Sequence, residues 1–270
     1  MNPESDRRWF ETRWSGRLRN LGFTMDHLVR CRSIDSGRIL IPGSIRGEPV
    51  QFLFGTRSGW WCWLYRSYVE ARGLPVFLNE DGRERVRAGE VSVFGRKWQA
   101  NSIPFGDTVG DWQPPLAGGF GAYCLWESVA AIDASVPAMA VVSADQRPSL
   151  VGALCRVPLI PKTRKGTCYT AAVSGAVFEV AYESESRVTP QYLASRRERV
   201  GRNGRATIEL QLPGDVAVTQ EFGVGDVSGI APLAESGYTR CDGILGADFW
   251  CHWVTVFDFP AGELLLFPYD

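Results

Sequence analysis

The sequence predicts a mostly β protein assembled from two successive copies of one unit. Three observations carry that prediction. A long C-terminal pattern recurs about 125 residues earlier, several stretches alternate apolar and polar residues like half-buried strands, and Asp-Gly and Asn-Gly dipeptides stand where strands can reverse.

The repeat appears when segments are laid over each other. G-G-F-G-A-Y-C-L-W-E-S-V-A-A-I-D at 118–133 matches D-G-I-L-G-A-D-F-W-C-H-W-V-T-V-F-D at 242–258. Setting Gly121 on Gly246, a shift of 125, also sets Ala122 on Ala247, Val129 on Val254 and Asp133 on Asp258. Upstream, I-R-G-E-P-V-Q-F-L-F-G-T-R-S at 45–58 matches V-S-G-A-V-F-E-V-A-Y-E-S-E-S at 173–186 at a shift of 128. That shift sets Gly47 on Gly175, Phe54 on Tyr182 and Thr56 on Ser184. Each copy thus reads as a Gly turn, a strand ending at a polar triplet, and later an apolar-Gly motif followed by a helical turn and two strands.

The remaining elements are read in order. Residues 91–93 and 206–212 alternate as strands, and the Asp-Gly at 81–82 and Asn-Gly at 203–204 predict hairpins over 79–87 and 200–205. Helices are expected at 63–72, closed by Gly73, and at 190–199, closed by Gly201. Residues 1–36 have no counterpart and read as an N-terminal arm. The copies span 37–146 and 166–270, joined by a Pro- and Lys/Arg-bearing linker at 147–165.

Composition narrows the function classes. With 29 basic and 30 acidic residues, no global field points to nucleic acid or to a membrane surface. No apolar run is long enough to span a bilayer and the N-terminus lacks an export pattern, so a cytoplasmic location is expected. Seven cysteines form no CxxC pair, and only His27 and His252 could join them. Free buried thiols are therefore expected, with no metal and no cofactor.

The strand into a polar triplet, the hairpins, and G-I-L-G-A-D-F at 243–249 resemble one retropepsin-like aspartic protease domain, occurring here twice. I-x-G-x-P-V-x-F-L-F at 45–54 is similar to that family's lead-in to a catalytic Asp-Thr-Gly, and Gly243, Ile244, Leu245 and Gly246 to its second-half motif. The resemblance implies two β-barrel lobes packed as a pseudo-twofold pair, in effect a covalent dimer within a monomer. In the family the two aspartates share a proton and activate water, and the threonine hydroxyls brace the loops against each other.

Both catalytic positions depart from that pattern. Gly55-Thr56-Arg57 stands in the first and Glu183-Ser184-Glu185 in the second, so the bracing hydroxyls remain while both aspartates are replaced. Arg57 is expected to form a cross-lobe ion pair with Glu183 or Glu185, an attraction where the family has a repulsive acid pair. Trp60, Trp61 and Trp63 follow the first triplet, positioned either to line a peptide groove or to fill it. The preferred function is a pseudoenzyme holding a peptide or protein segment between the lobes, with the 79–87 and 200–205 hairpins as flaps. The alternatives are a peptidase working through Glu183 and a structural scaffold whose groove is sealed.

Other candidates have simpler readings. G-D-T-V-G at 106–110 lies too late in the first copy to be a catalytic loop and reads as a surface turn. Asp133, Asp242, Asp248 and Asp258 read as turn and cap residues. Cys251-His252 lacks a third group to orient a nucleophile and base. R-R-E-R-V-G-R-N-G-R at 196–205 reads as a solvated helix end and hairpin rather than a nucleic-acid site.

Overall fold

In a computed structural model, the structure describes residues 17, 20–34, 37–56, 61–106, 116–161, 169–225, 227 and 241–269. Strands dominate, in a twelve-stranded, an eight-stranded and a two-stranded sheet. The strand grammar is the same in both halves. Arg38–Ile45 and Glu48–Gly55 form an antiparallel hairpin, and Glu48–Gly55 then pairs in parallel with Leu116–Gly121. Tyr169–Val173, Ala176–Ala181 and Gly243–Gly246 repeat that arrangement.

Both hairpins turn on a residue pair with positive φ, Arg46–Gly47 (54° and 81°) and Ser174–Gly175 (53° and 73°). Two successive positive values suit the right-handed twist of the flanking strands, and the non-glycine residue bears the strain. In each copy that residue is anchored by its side chain. Arg46 donates to the carbonyls of Ala88 and Arg87 at 2.9 and 3.0 Å, and the Ser174 hydroxyl accepts from the Gln211 N–H at 2.6 Å.

Six strands join the halves, in the order Leu28–Arg30, Ala138–Ser143, Ser128–Asp133, Val254–Asp258, Glu263–Phe267, Cys155–Pro161. At its centre Ser128–Asp133 runs antiparallel to Val254–Asp258 with Ala131 opposite Val256. That partner lies 125 residues on, the same shift that aligns the two segments in sequence. Asp133 and Asp258, fully buried at the ends of these strands, are paired with Arg17 and Arg147 and also accept local N–H groups.

The described strands within the stretches read as arm and linker take corresponding places in the two halves. Leu28–Arg30 pairs with Ala138–Ala140 and Arg32–Ile34 continues onto Arg38–Leu40. Cys155–Pro161 likewise pairs with Glu263–Leu266 through residues 155–158 and with Tyr169–Ala171 through 159–161. Leu21 and Phe23 are buried against the six joining strands of the twelve-stranded sheet.

Two further expectations shift. The helices span Arg66–Ala71 and Pro190–Arg196; the second starts at Thr189, whose hydroxyl accepts from the Tyr192 N–H, and is closed by Arg197 at φ 59° rather than by Gly201. The Asn79–Gly82 turn joins Val76–Leu78 to Glu84–Val86 as a hairpin. Residues 200–204 instead form a tight turn leading into Arg205–Leu212, whose hairpin partner Val216–Val224 is reached through Gly214 and Asp215 at φ 82° and 60°.

Candidate functional site

The strand registers set which residues face each other at the centre. Gly55 is level with Gly121, and Ala181 with Gly246. Gly121 and Gly246 each end the matching parallel ladder of their half, so Ala181 rather than Glu183 takes the place in the second half that Gly55 has in the first. The turn-side ladders keep the shift of 128, with Ile45 against Glu48 and Val173 against Ala176. Ala176–Ala181 is two residues shorter than Glu48–Gly55, and Glu183 lies beyond its end.

Thr56 holds the two loops together. Its hydroxyl donates to the Val180 carbonyl at 2.8 Å and accepts from the Tyr182 N–H at 2.9 Å, and its own N–H donates to Glu183 Oε2 at 2.9 Å. Thr56 is fully buried and its two hydroxyl bonds are shielded from water, while the bond to Glu183 is only partly buried. Ser184 makes no reciprocal side-chain bond among the described residues; its backbone N–H donates to Ala181 and its carbonyl accepts from Ala247. The residue facing Thr56 is Tyr182, whose ring sits edge-on to Phe54 and Phe257.

The Tyr182 hydroxyl is buried without a hydrogen-bond partner among the described residues, and burial pushes its pKa well above the ordinary phenol value. Leaving such a group unpaired costs about 1–3 kcal/mol. Tyr182→Phe is therefore expected to raise stability by about 1 kcal/mol in a urea titration; a loss of stability would show that the hydroxyl has a partner in solution.

Around Gly55 the space is occupied. A β-carbon placed there would lie 2.9 Å from Trp63 Cη2 and 3.1 Å from the Glu183 carboxyl carbon. The Trp63 ring also lies directly on Gly119, where a β-carbon would overlap it. Trp63 is half-buried, and Trp61 packs against Trp98 and edge-on to Phe120, with centroids at 5.9 and 6.4 Å. Burial raises the Tyr65 phenol pKa, Arg38 opposes the rise and Glu183 adds to it, so these three side chains share one electrostatic neighbourhood.

A second network fixes the 183–186 loop from behind. Asp248 Oδ1 accepts from the Ser186 N–H and hydroxyl at 2.7 and 2.8 Å, and Oδ2 accepts from Gln220 at 3.0 Å. Ser186 Oγ in turn accepts from the Gly246 N–H at 2.9 Å. Burial raises the Asp248 pKa, the Ser186 bonds counter it, and nearby Glu185 adds to the rise. Sequence reasoning placed Asp248 in a turn and missed Ser186; an acid two residues after the motif glycine is the only local signal for the pair. Asp242 similarly accepts from the Val177 N–H at 3.0 Å.

The other candidates fall as follows. Glu185 lies 3.8 Å from Arg205 of its own half. Arg57, Trp60 and residues 107–110 lie outside the described residues. Cys251 has its thiol pKa raised by burial, the opposite of an activated nucleophile, and His252 packs edge-on to Trp253. The six described cysteines are free thiols, and no cluster of His, Cys, Asp and Glu among the described residues could hold a metal ion. No helix among them is long and apolar enough to cross a membrane.

This architecture is similar to known structures. The aspartic proteinase from Irpex lacteus matches over 90% of this chain and 97% of its own, at 10% identity and a TM-score of 0.53. Basic 7S globulin from soybean, at 9% identity, and conglutin gamma from lupine seeds, at 10%, each match over 90% of this chain and 95% of theirs with a TM-score of 0.48. No protein-family model matches the sequence, and no curated protein matches it significantly. The fold is mostly β and aspartic-proteinase-like; at such identity the likeness speaks for fold alone.

Proposed function

We propose that this chain is a non-hydrolytic aspartic-protease-like protein, a monomer that holds an extended peptide or protein segment in the cleft between its halves. The observation that carries the reading is the pair of residues at the two equivalent central positions, Gly55 and Ala181, neither of which has a carboxyl group. Proton sharing between paired acids, on which aspartic peptidases depend, has no groups to run on there. Glu183 supplies one carboxylate nearby, oriented by the Thr56 N–H, and Glu185 faces Arg205. The half-buried Trp61 and Trp63 supply apolar surface for a bound segment, and the 76–86 hairpin, with Leu78 67% exposed, supplies a flap.

The test is peptide cleavage between pH 3 and 7 by the unaltered protein and by Glu183→Gln. No cleavage by either is expected, together with saturable tryptophan-fluorescence changes on adding members of an extended-peptide library. Cleavage that disappears in Glu183→Gln would overturn the reading in favour of a peptidase. A second reading, a scaffold with a sealed cleft, is favoured by the Trp63 ring lying on Gly55 and Gly119. It predicts that no peptide changes the tryptophan signal.

A further inference from the structure

We propose that the concave surface beside the Arg205–Leu212 strand is an anion-recognition site for a carboxylate-rich peptide segment. The inference is independent of whether the central cleft binds peptide. The cavity has a volume of about 510 Å³ and is lined by Arg197, Arg199, Arg205, Asn203 and Thr207, with Glu198 and Glu221. Its charge is local. Residues 196–205 hold five arginines and one glutamate in a chain whose net charge is −1.

The backbone that presents these side chains is held by its own bonds. The preceding helix ends at Arg197 in the left-handed region, the Gly201 N–H donates to the Arg205 carbonyl at 2.7 Å, and the Arg205 N–H donates to Asn203 Oδ1 at 3.1 Å. Two of the arginines are already engaged. Arg196 donates to the Glu209 carbonyl and to the Tyr192 hydroxyl, and Arg205 Nε lies 3.1 Å from Glu221 while its Nη1 faces Glu185 at 3.8 Å. Glu221 is further occupied by Asn203, at 3.1 Å. Arg197 and Arg199 are exposed and make no ion pair among the described residues.

The lining thus offers two guanidiniums with only Glu198 to offset them, backed by neutral Asn203 and Thr207. A guanidinium grips planar carboxylates through two parallel N–H bonds, which fits acidic side chains presented in a row. Nucleic acid fits less well. Its single strands are held by exposed aromatic rings as well as charge, whereas no aromatic side chain is among the described residues that line this cavity.

The experiment is fluorescence anisotropy of the full chain with fluorescein-labelled hexaglutamate, and with labelled hexaglutamine and a six-nucleotide oligothymidine alongside. Saturable binding of hexaglutamate alone is expected, weakened about tenfold or more in Arg197→Glu/Arg199→Glu, as the loss of charge-assisted bonds implies. Arg32→Glu/Arg72→Glu, the same charge change at exposed positions of the other half, should retain the original affinity. The single Arg199→Glu, outside any helix or strand, provides the same comparison should the double variant not fold. Absence of hexaglutamate binding, equal weakening in both double variants, or tighter binding of oligothymidine would each overturn the assignment.

Discussion

Replacing Thr56 by valine is expected to lower stability by about 2–4 kcal/mol, whereas Thr56→Ser costs less than about 1 kcal/mol. Valine keeps the shape and volume of threonine but removes the hydroxyl. The Val180 carbonyl and the Tyr182 N–H, both on fully buried residues, then lose their partner together. Water cannot replace the hydroxyl there, so each group incurs the desolvation cost of an orphaned buried dipole, about 1–3 kcal/mol. Serine retains the oxygen and sheds only a methyl group. Urea unfolding of the three proteins reads the difference. Equal losses in the two variants would place the effect in packing of the γ-methyl and not in the bonds. Because Thr56 and residues 180–182 belong to different halves, the valine variant should also loosen one half against the other. Faster hydrogen exchange at the Tyr182 amide would report that directly.

The same site shows where sequence reading reached and where it stopped. The mostly β architecture was legible because its signals are local: a turn glycine, an apolar strand, an apolar-Gly motif, met in the same order in both halves. That Gly55 closes the apolar strand of the first half was legible for the same reason. Its counterpart was not. Similarity along the chain follows the hairpin ladders, which keep a shift of 128, while the level of the site is set by the parallel neighbour, giving Gly55 to Ala181 a shift of 126. Parallel pairing is a contact between distant segments, and a strand two residues shorter leaves no mark in residue type. The equivalence of Leu28–Ile34 with Cys155–Pro161 escaped likewise, since each is a short ribbon that changes partner strand partway along and the segments share no pattern. The tryptophans were visible as a cluster, but the positioning of Trp63 depends on Gly55 and Gly119, the latter 56 residues away in sequence.

Two glycine substitutions separate the reasons for which this fold needs glycine. Gly119→Ala and Gly246→Ala are each expected to cost about 3 kcal/mol, the upper range for forcing extra volume into a packed interior. Neither residue has an unusual φ, so the cause is space. At Gly119 the obstacle is the Trp63 ring; at Gly246 it is backbone, the Ser184 carbonyl oxygen with the Glu185–Ser186 peptide. A ring can be exchanged and a backbone cannot. In a Trp63→Leu background, Gly119→Ala should therefore cost only about 1 kcal/mol, a coupling of roughly 2 kcal/mol between positions in contact. Gly246→Ala should cost the same in either background. Its β-carbon would push on the peptide that carries the Ser186 N–H to Asp248, so the variant should also disturb the loop bearing Glu183. Coupling at Gly119 with none at Gly246 would establish Trp63 as a side chain seated on glycines in the first half, and the second-half glycine as a requirement of chain path. Coupling at neither would mean that the ring lies elsewhere in solution, away from Gly55 and Gly119.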